Sequence, residues 1–376
     1  MKPIYLDYNA TTPIDPRVAE AMLPYIREHF GNPSSNHFYG RATKDAVGNS
    51  RKQVADMLHC KPEEIVFTSG GSESNNLAIK GVAYAYQKKG NHIITSSIEH
   101  PAVSEVCRFL ETRGFDVTYV PVDEHGLVDL KQLEESITPK TTLITIMHAN
   151  NEVGTIEPIT EIAEIAHRNG ILIHTDCAQS IGKVPVYVDE LRVDLLSLAG
   201  HKLYAPKGIG ALYIRSGVKL EKQIHGAGHE MGWRAGTENV IEIAGLGKAC
   251  ALVTEESERT HLQTGNLRDK LQNGLREAFP DIRINGHPEK RLPNTASISF
   301  PNIAANEIID KLKNIATSAG AACHSGGVTI SPTLKAMNVP PEYAKGTIRF
   351  STGRFTTERE IDEALEEIVA VVKELA

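Results

Sequence analysis

The 376-residue sequence predicts an α/β protein built on a mostly parallel sheet, with a smaller α+β part following it. Three observations lead there. Between about residues 60 and 215, short apolar runs alternate with amphipathic stretches, the pattern of strands joined by crossover helices. Several of those runs are apolar at successive positions, as strands covered on both faces by helices must be. After about residue 250 the texture changes to a leucine stripe and strands of alternating polarity.

In chain order, Glu64-Ile65-Val66-Phe67-Thr68 reads as a strand ending at Ser69-Gly70-Gly71, with a helix beginning at the hydroxyl residue Ser72. His92–Thr95, Thr142–Ile146, Ile171–His174, Asp194–Ser197 and Gly210–Ile214 read as further strands, some separated by helices such as Ile159–His167. Glu255–Phe279 sets Leu262, Leu267, Leu271 and Leu275 on one helical face. Asn294–Phe300 and Thr347–Ser351 read as half-exposed strands, and Glu358 to about Leu375 as a closing helix.

Composition narrows the function classes. A hydrophobic share of 41% and a charged share of 23% are ordinary for a soluble globular protein. The net charge of -7, without a dense Lys/Arg cluster, argues against a nucleic-acid partner. No apolar run approaches the roughly 18 residues of a membrane span, and Met1–Asp7 has no signal-like core. Cys60, Cys107, Cys177, Cys250 and Cys323 are too scattered for a disulfide framework, and no CxxC pair points to zinc. A cytoplasmic protein without a metal is the expectation.

Four segments carry chemistry-bearing residues, each with a plain structural competitor. The Ser69–Asn76 turn and helix start offers free N–H groups and a helix dipole to a phosphate, or is simply capped by Ser72. Asp176 follows the buried run Ile171–His174; it can pair with a protonated heterocyclic nitrogen, or cap the next helix. Lys202, in Ala199-Gly200-His201-Lys202, lies just past a strand end. Desolvation there would lower its pKa and permit imine formation, whereas most lysines are solvated. Cys323, among small residues and beside His324, suits an accessible nucleophilic thiolate, or a small buried hydrophobe.

Together these segments resemble the class V, fold-type I pyridoxal-phosphate enzymes of the cysteine desulfurase and selenocysteine lyase family. The resemblance runs over nearly the whole chain, through Tyr5–Pro13, Gly31–Ser35, Phe67–Asn76, Glu99-His100, Asn150–Gly154, Asp176–Gln179, Gly200-His201-Lys202, Arg234–Asn239, the Cys323 loop and Arg349–Thr357. It implies a large cofactor-binding domain over 16–252 and a small α+β domain over 1–15 plus 253–376. It implies that Lys202 holds pyridoxal 5'-phosphate as a Schiff base and removes the substrate's Cα proton, and that Asp176 pairs with the pyridine nitrogen. By the same resemblance His100 stacks on the ring, while Gln179 and Asn151 reach its phenolic oxygen or its surroundings. Gly71, Ser72 and His201 bind the phosphate, with Thr237 supplied by the second subunit of a homodimer. Arg354 clamps the substrate carboxylate, and Cys323 attacks the substrate sulfur and becomes a persulfide. The substrate is L-cysteine or L-selenocysteine, the product L-alanine, and a sulfur- or selenium-acceptor protein is the expected partner. Ala199, where many desulfurases have a serine, and the Cys323-His324 pair look like selenocysteine lyase; the spacing to Ser331-Pro332 looks like desulfurase.

Overall fold

The computed structural model describes residues 3–324 and 327–375, and the side chains of all of these except 321–324 and 327–329. A seven-stranded sheet runs in the spatial order Ile65–Thr68, Gly210–Ile214, Leu195–Ala199, Leu172–Asp176, Thr141–Thr145, His92–Ser96, Asp116–Val120. Gly210–Ile214 is antiparallel to both its neighbours, and the other pairings are parallel. Successive strand residues go to opposite faces, and both faces are buried. Phe67, Ile94, Ile144, Ile173, Leu196 and Ala211 join one apolar cluster. Val66, Ile93, Leu143, Leu195 and Leu212 join another, under the helices Gly71–Ala85 and Pro101–Glu111. That two-sided burial is why the strands read as continuous apolar runs.

A second, antiparallel sheet orders Ser318–Ala319, Thr347–Ser351, Thr295–Ser299 and Arg283–Asn285. Its core, with Phe300, Phe350, Leu271 and Ile368, also takes in Ile4 and Leu6 from the N-terminus. Ile4–Tyr5 pairs in parallel with Ile315–Ala316, which draws the first residues onto this part of the molecule. Leu334, Met337, Val339 and Ala344 instead pack with the large sheet's core.

Thr295–Ser299 and Thr347–Ser351, expected to be half-exposed, are almost wholly buried, because both faces of the small sheet are covered; two further elements differ from the sequence expectation. The helix expected from Glu255 begins at Val240 and continues to Ala278. Its first half buries Ile243, Leu246, Ala249, Cys250 and Val253 together with Gly245 and Gly247, and packs against Pro16–Arg27 and Phe38–Leu58. A segment covered on several sides shows little amphipathic period, so its start is not visible as a stripe. Leu262 is 58% exposed, off the buried stripe of Leu267, Leu271 and Leu275. Asp116–Val120 is an edge strand of mostly half-exposed residues, without the apolar run that marked the others. No helix among the described residues is long and apolar enough to cross a membrane.

Candidate active site

The parallel strands all point their carboxyl ends to one side, and the segments leaving those ends line a single cleft. Gly71 and Ser72 follow Ile65–Thr68, His100 follows His92–Ser96, and Met147 to Asn151 follow Thr141–Thr145. Asp176 and Gln179 close Leu172–Asp176, and His201 and Lys202 follow Leu195–Ala199. The cleft holds about 510 Å³ of space, open solvent at its mouth included, within the range of small-ligand sites. The antiparallel strand makes the geometry tight. Gly210 pairs with both Thr68 and Ala199, and a side chain on it would stand 2.6 Å from the Leu198 carbonyl and 2.7 Å from Gly70 Cα. Only glycine lets the Gly70 turn and Ala199 come this close; a Cβ on Gly71 would be 3.3 Å from that of Ala199.

Lys202 is not a solvated lysine. Its Nζ donates to the carbonyls of Asn9 (2.6 Å) and Ala10 (2.8 Å), on the N-terminal segment that folds over this side of the cleft. Burial, with the Arg349 charge adding to it, pushes its pKa down to about 8, against the opposing pull of Asp176 and Asp7. Asp176, 6% exposed, accepts from Asn75 Nδ2 at 2.7 Å and from the Ala178 N–H at 2.9 Å. It caps no helix, because a turn follows it. His201 is held neutral, pushed to about 4 by burial and by Lys202. His100 uses Nδ1 to accept the Ala102 N–H at 3.1 Å, as the cap of Pro101–Glu111. Desolvation lowers its pKa, with Lys202 adding and Asp176 opposing.

The helix after the glycine turn starts at Gly71, not at Ser72. Gly70, at a φ of 146° that only glycine takes readily, is its N-cap and makes no side-chain capping bond. Ser72 therefore lies in the first turn, where its N–H and that of Gly71 are orphan donors of the helix start.

Arg354 is placed elsewhere. Its side chain is 8% exposed, its Nη1 binds Asp15 at 2.8 Å, and its guanidinium lies 4.5 Å over the Tyr204 ring. With Tyr204 and Lys202 it lines a second, smaller pocket, and it is not among the residues that line the cleft. Arg349, five positions earlier, instead donates to the Asn151 carbonyl (3.1 Å) and to Asp7 (2.7 Å); the Nε of each arginine is buried without a hydrogen-bond partner. Thr237 is exposed and does not line the cleft of its own chain. Cys323 and His324 lie on the strand Ala321–His324, paired with Gly327–Ile330; their side chains fall outside the described residues.

Five contributors were not singled out from the sequence. Asn9 receives Lys202, Asn75 holds Asp176, and Arg349 is described above. Glu99, beneath the cleft, accepts from Ser96 Oγ (2.6 Å) and the Met147 N–H (3.0 Å); burial lifts its pKa to about 8, so the carboxyl is protonated near neutrality. Lys183 bonds to Gln179 and Asn9. Asn9, Asn75, Glu99 and Arg349 all lie within segments that carried the resemblance, but their roles rest on contacts distant in sequence.

The family model for aminotransferase class-V matches residues 4–364. A cysteine desulfurase IscS of Dictyoglomus turgidum is 47% identical over 374 residues, 99% of this chain and 95% of the relative. A solved NifS-like protein superimposes with a TM-score of 0.94 at 40% identity, covering 99% of this chain and 100% of its own. SspA, solved in complex with cysteine, superimposes with a TM-score of 0.81 at 39% identity, covering 94% and 100%.

Proposed function

The chain belongs to the aminotransferase class-V family and is a pyridoxal-phosphate-dependent cysteine desulfurase, and from that premise we propose that Lys202 is the amine to which the cofactor attaches. The observation that carries this is the desolvated Lys202 amine at the same strand ends as the buried Asp176 carboxylate. The cleft fits the cofactor in other respects. Asn75 Oδ1 is buried there without a partner, and the uncapped start of Gly71–Ala85 offers N–H donors and a helix dipole to a phosphate. The relatives named as cysteine desulfurases favour sulfur over selenium, so the selenocysteine reading is not carried forward.

When bound, pyridoxal phosphate supplies an electron sink for the bond-breaking at the substrate's Cα. Gly71, Ser72 and neutral His201 would hold its phosphate, with Thr237 of a second copy completing that site. Asp176, fixed by Asn75 and the Ala178 N–H, keeps a negative charge where the ring nitrogen is to stay protonated. His100, Gln179 and Asn151 line the same cleft, where His100 would pack against the cofactor ring and Gln179 and Asn151 would bind its polar edge. Lys202 Nζ would act as the base that takes the substrate's Cα proton. The Cys323 thiolate then bonds to the substrate sulfur. The C–S bond breaks with its electron pair going to the carbon side, which is protonated and leaves as alanine, and Cys323 keeps the sulfur as a persulfide. His324 stands beside that thiol in the sequence and would favour the thiolate.

For the substrate carboxylate the geometry favours Arg349 over Arg354. Arg349 donates to the carbonyl of Asn151, which lines the cleft, and its charge acts on Lys202; Arg354 is committed to Asp15 and Tyr204. Arg349→Gln is therefore expected to raise KM for cysteine about 10- to 100-fold. Arg354→Gln should lower thermal stability by about 2 kcal/mol with a much smaller change in KM. The cost falls short of the usual one for an orphaned buried charge, because Asp15 keeps Arg17. A reversed pattern in steady-state kinetics and thermal melts would return the role to Arg354.

A homodimer, a cytoplasmic home, a sulfur-acceptor protein and the domain division at 16–252 and 1–15 plus 253–376 belong to the same proposal. Phe30 (78% exposed), Phe38 (65%) and Tyr39 (42%) touch one another on the surface of the single chain, an apolar group that a second copy would cover. The separate core around Phe300 and Phe350 supports the division. The test of the function is alanine release from L-cysteine by wild type and Cys323→Ala. Wild type should turn over and accumulate protein-bound persulfide, and the variant should fall by about 10²-fold or more without persulfide. Equal turnover of the two proteins would refute the sulfur chemistry.

A further inference from the structure

Beneath Gln179 lies a second lysine that the reaction described above does not use. Lys183 Nζ donates to Gln179 Oε1 at 2.7 Å and to Asn9 Oδ1 at 2.8 Å. Burial, with Lys202 and Arg349 adding, holds its pKa well below the ordinary lysine range. So costly a placement of an amine is unusual for a residue that only fills space.

The two partners differ in how far they depend on it. Asn9 is held from several sides. Its Oδ1 also accepts from Asn294 Nδ2 (3.1 Å), its Nδ2 donates to Thr295 Oγ1 (2.8 Å), and its N–H donates to Ser351 Oγ (2.9 Å). Gln179 has no such redundancy. Its Nε2 donates to the Asn9 carbonyl at 2.9 Å, and Lys183 is the described partner of its Oε1. An amide's two ends are almost equal in shape, so only hydrogen bonding decides which faces where. Lys183, which can only donate, admits Oε1 alone. That leaves Nε2 on the side of the Asn9 carbonyl, which Lys202 Nζ shares, with one N–H to spare in a side chain that lines the cleft.

We propose that Lys183 is a positioning residue that fixes the Gln179 amide with its N–H end toward the cleft, so that Gln179 meets a ligand oxygen as a donor. The proposal rests on the cleft taking pyridoxal phosphate, whose phenolic oxygen is the acceptor such a donor suits. Without Lys183, Oε1 loses its partner and only the bond from Nε2 to the Asn9 carbonyl still orients the amide, while Asn9 stays anchored by Asn294, Thr295 and Ser351.

The test is a double-mutant cycle between Lys183→Met and Gln179→Ala. It reads the visible absorption band of the bound cofactor and, with the apoprotein, the dissociation constant for pyridoxal phosphate. Lys183→Met is expected to weaken binding about tenfold, the scale of one hydrogen bond to an oxygen anion. It should also move the band in the same direction as Gln179→Ala, and add nothing in the Gln179→Ala background. Lys183→Arg should restore most of both signals, and Lys183→Gln serves in place of Met if circular dichroism shows that Met disturbs the fold. Additive effects, or a band and affinity unchanged in Lys183→Met, overturn the positioning role. A wild type that shows no visible band with pyridoxal phosphate overturns the cofactor reading itself, and the role of Lys183 with it.

Discussion

Replacing Lys202 by Ala is expected to reduce alanine release from cysteine by about 10⁴-fold or more, since the variant loses both the cofactor's attachment point and the base for the Cα proton. The structure explains why this lysine is suited to the work. Only an unprotonated amine attacks an aldehyde. A solvated lysine at pH 7.4 is free of its proton roughly once in a thousand molecules, whereas a pKa of about 8 frees roughly a fifth of them. The sign follows from the causes: burial and Arg349 both penalise the charged amine, and Asp176 and Asp7 only partly offset them. The rate at which wild-type apoprotein captures pyridoxal phosphate should therefore rise with pH and level off above about 8. A rate still climbing steeply at pH 10 would mean that the amine is solvated after all. In Lys202→Ala the capture should vanish, and the visible band with it. Loss of turnover with the band intact would place the attachment on another lysine.

The parts of this site that the sequence announced are those set by local pattern. Continuous apolar runs located the strands, and a ligand crevice forms where parallel strands end, so Asp176 and Lys202 could be placed before any coordinates. The parts it hid depend on contacts between distant segments. Lys202 is held by Asn9, 193 positions away, and nothing near either residue marks that pairing. Arg349 and Arg354 lie in one short motif and look alike as letters. Only the strand Thr347–Ser351 separates them, by carrying Arg349 toward Asp7 and Asn151 while Arg354, beyond the strand end, turns to Asp15. The first half of Val240–Ala278 and the edge strand Asp116–Val120 were missed for opposite reasons. One is covered too fully to show a helical stripe, and the other too little to show an apolar run. The start of the helix at Gly71 rather than Ser72 follows from the positive φ of Gly70, which lets the chain turn one residue earlier than a serine cap would.

Asp176→Asn is expected to cost about 10²- to 10⁴-fold in turnover while leaving the protein folded. The substitution keeps the size of the side chain and removes its charge. Both oxygens of Asp176 now accept, one from Asn75 and one from the Ala178 N–H; an asparagine has a single acceptor oxygen, so one of these donors loses its partner. That loss should destabilise the fold by about 1–3 kcal/mol. The larger effect is electrostatic. Asp176 is one of the groups that favour the charged form of Lys202 and of His100. Without it the Lys202 pKa should fall below about 8, so the amine captures the aldehyde more readily at low pH, not less. The variant should therefore still take up pyridoxal phosphate, and its capture profile should shift to lower pH, while turnover collapses because no negative charge holds a proton on the ring nitrogen. Those two opposite movements separate the charge of Asp176 from its hydrogen bonds. Turnover within a few-fold of wild type would show that the carboxylate serves only to anchor Asn75 and the turn at Ala178.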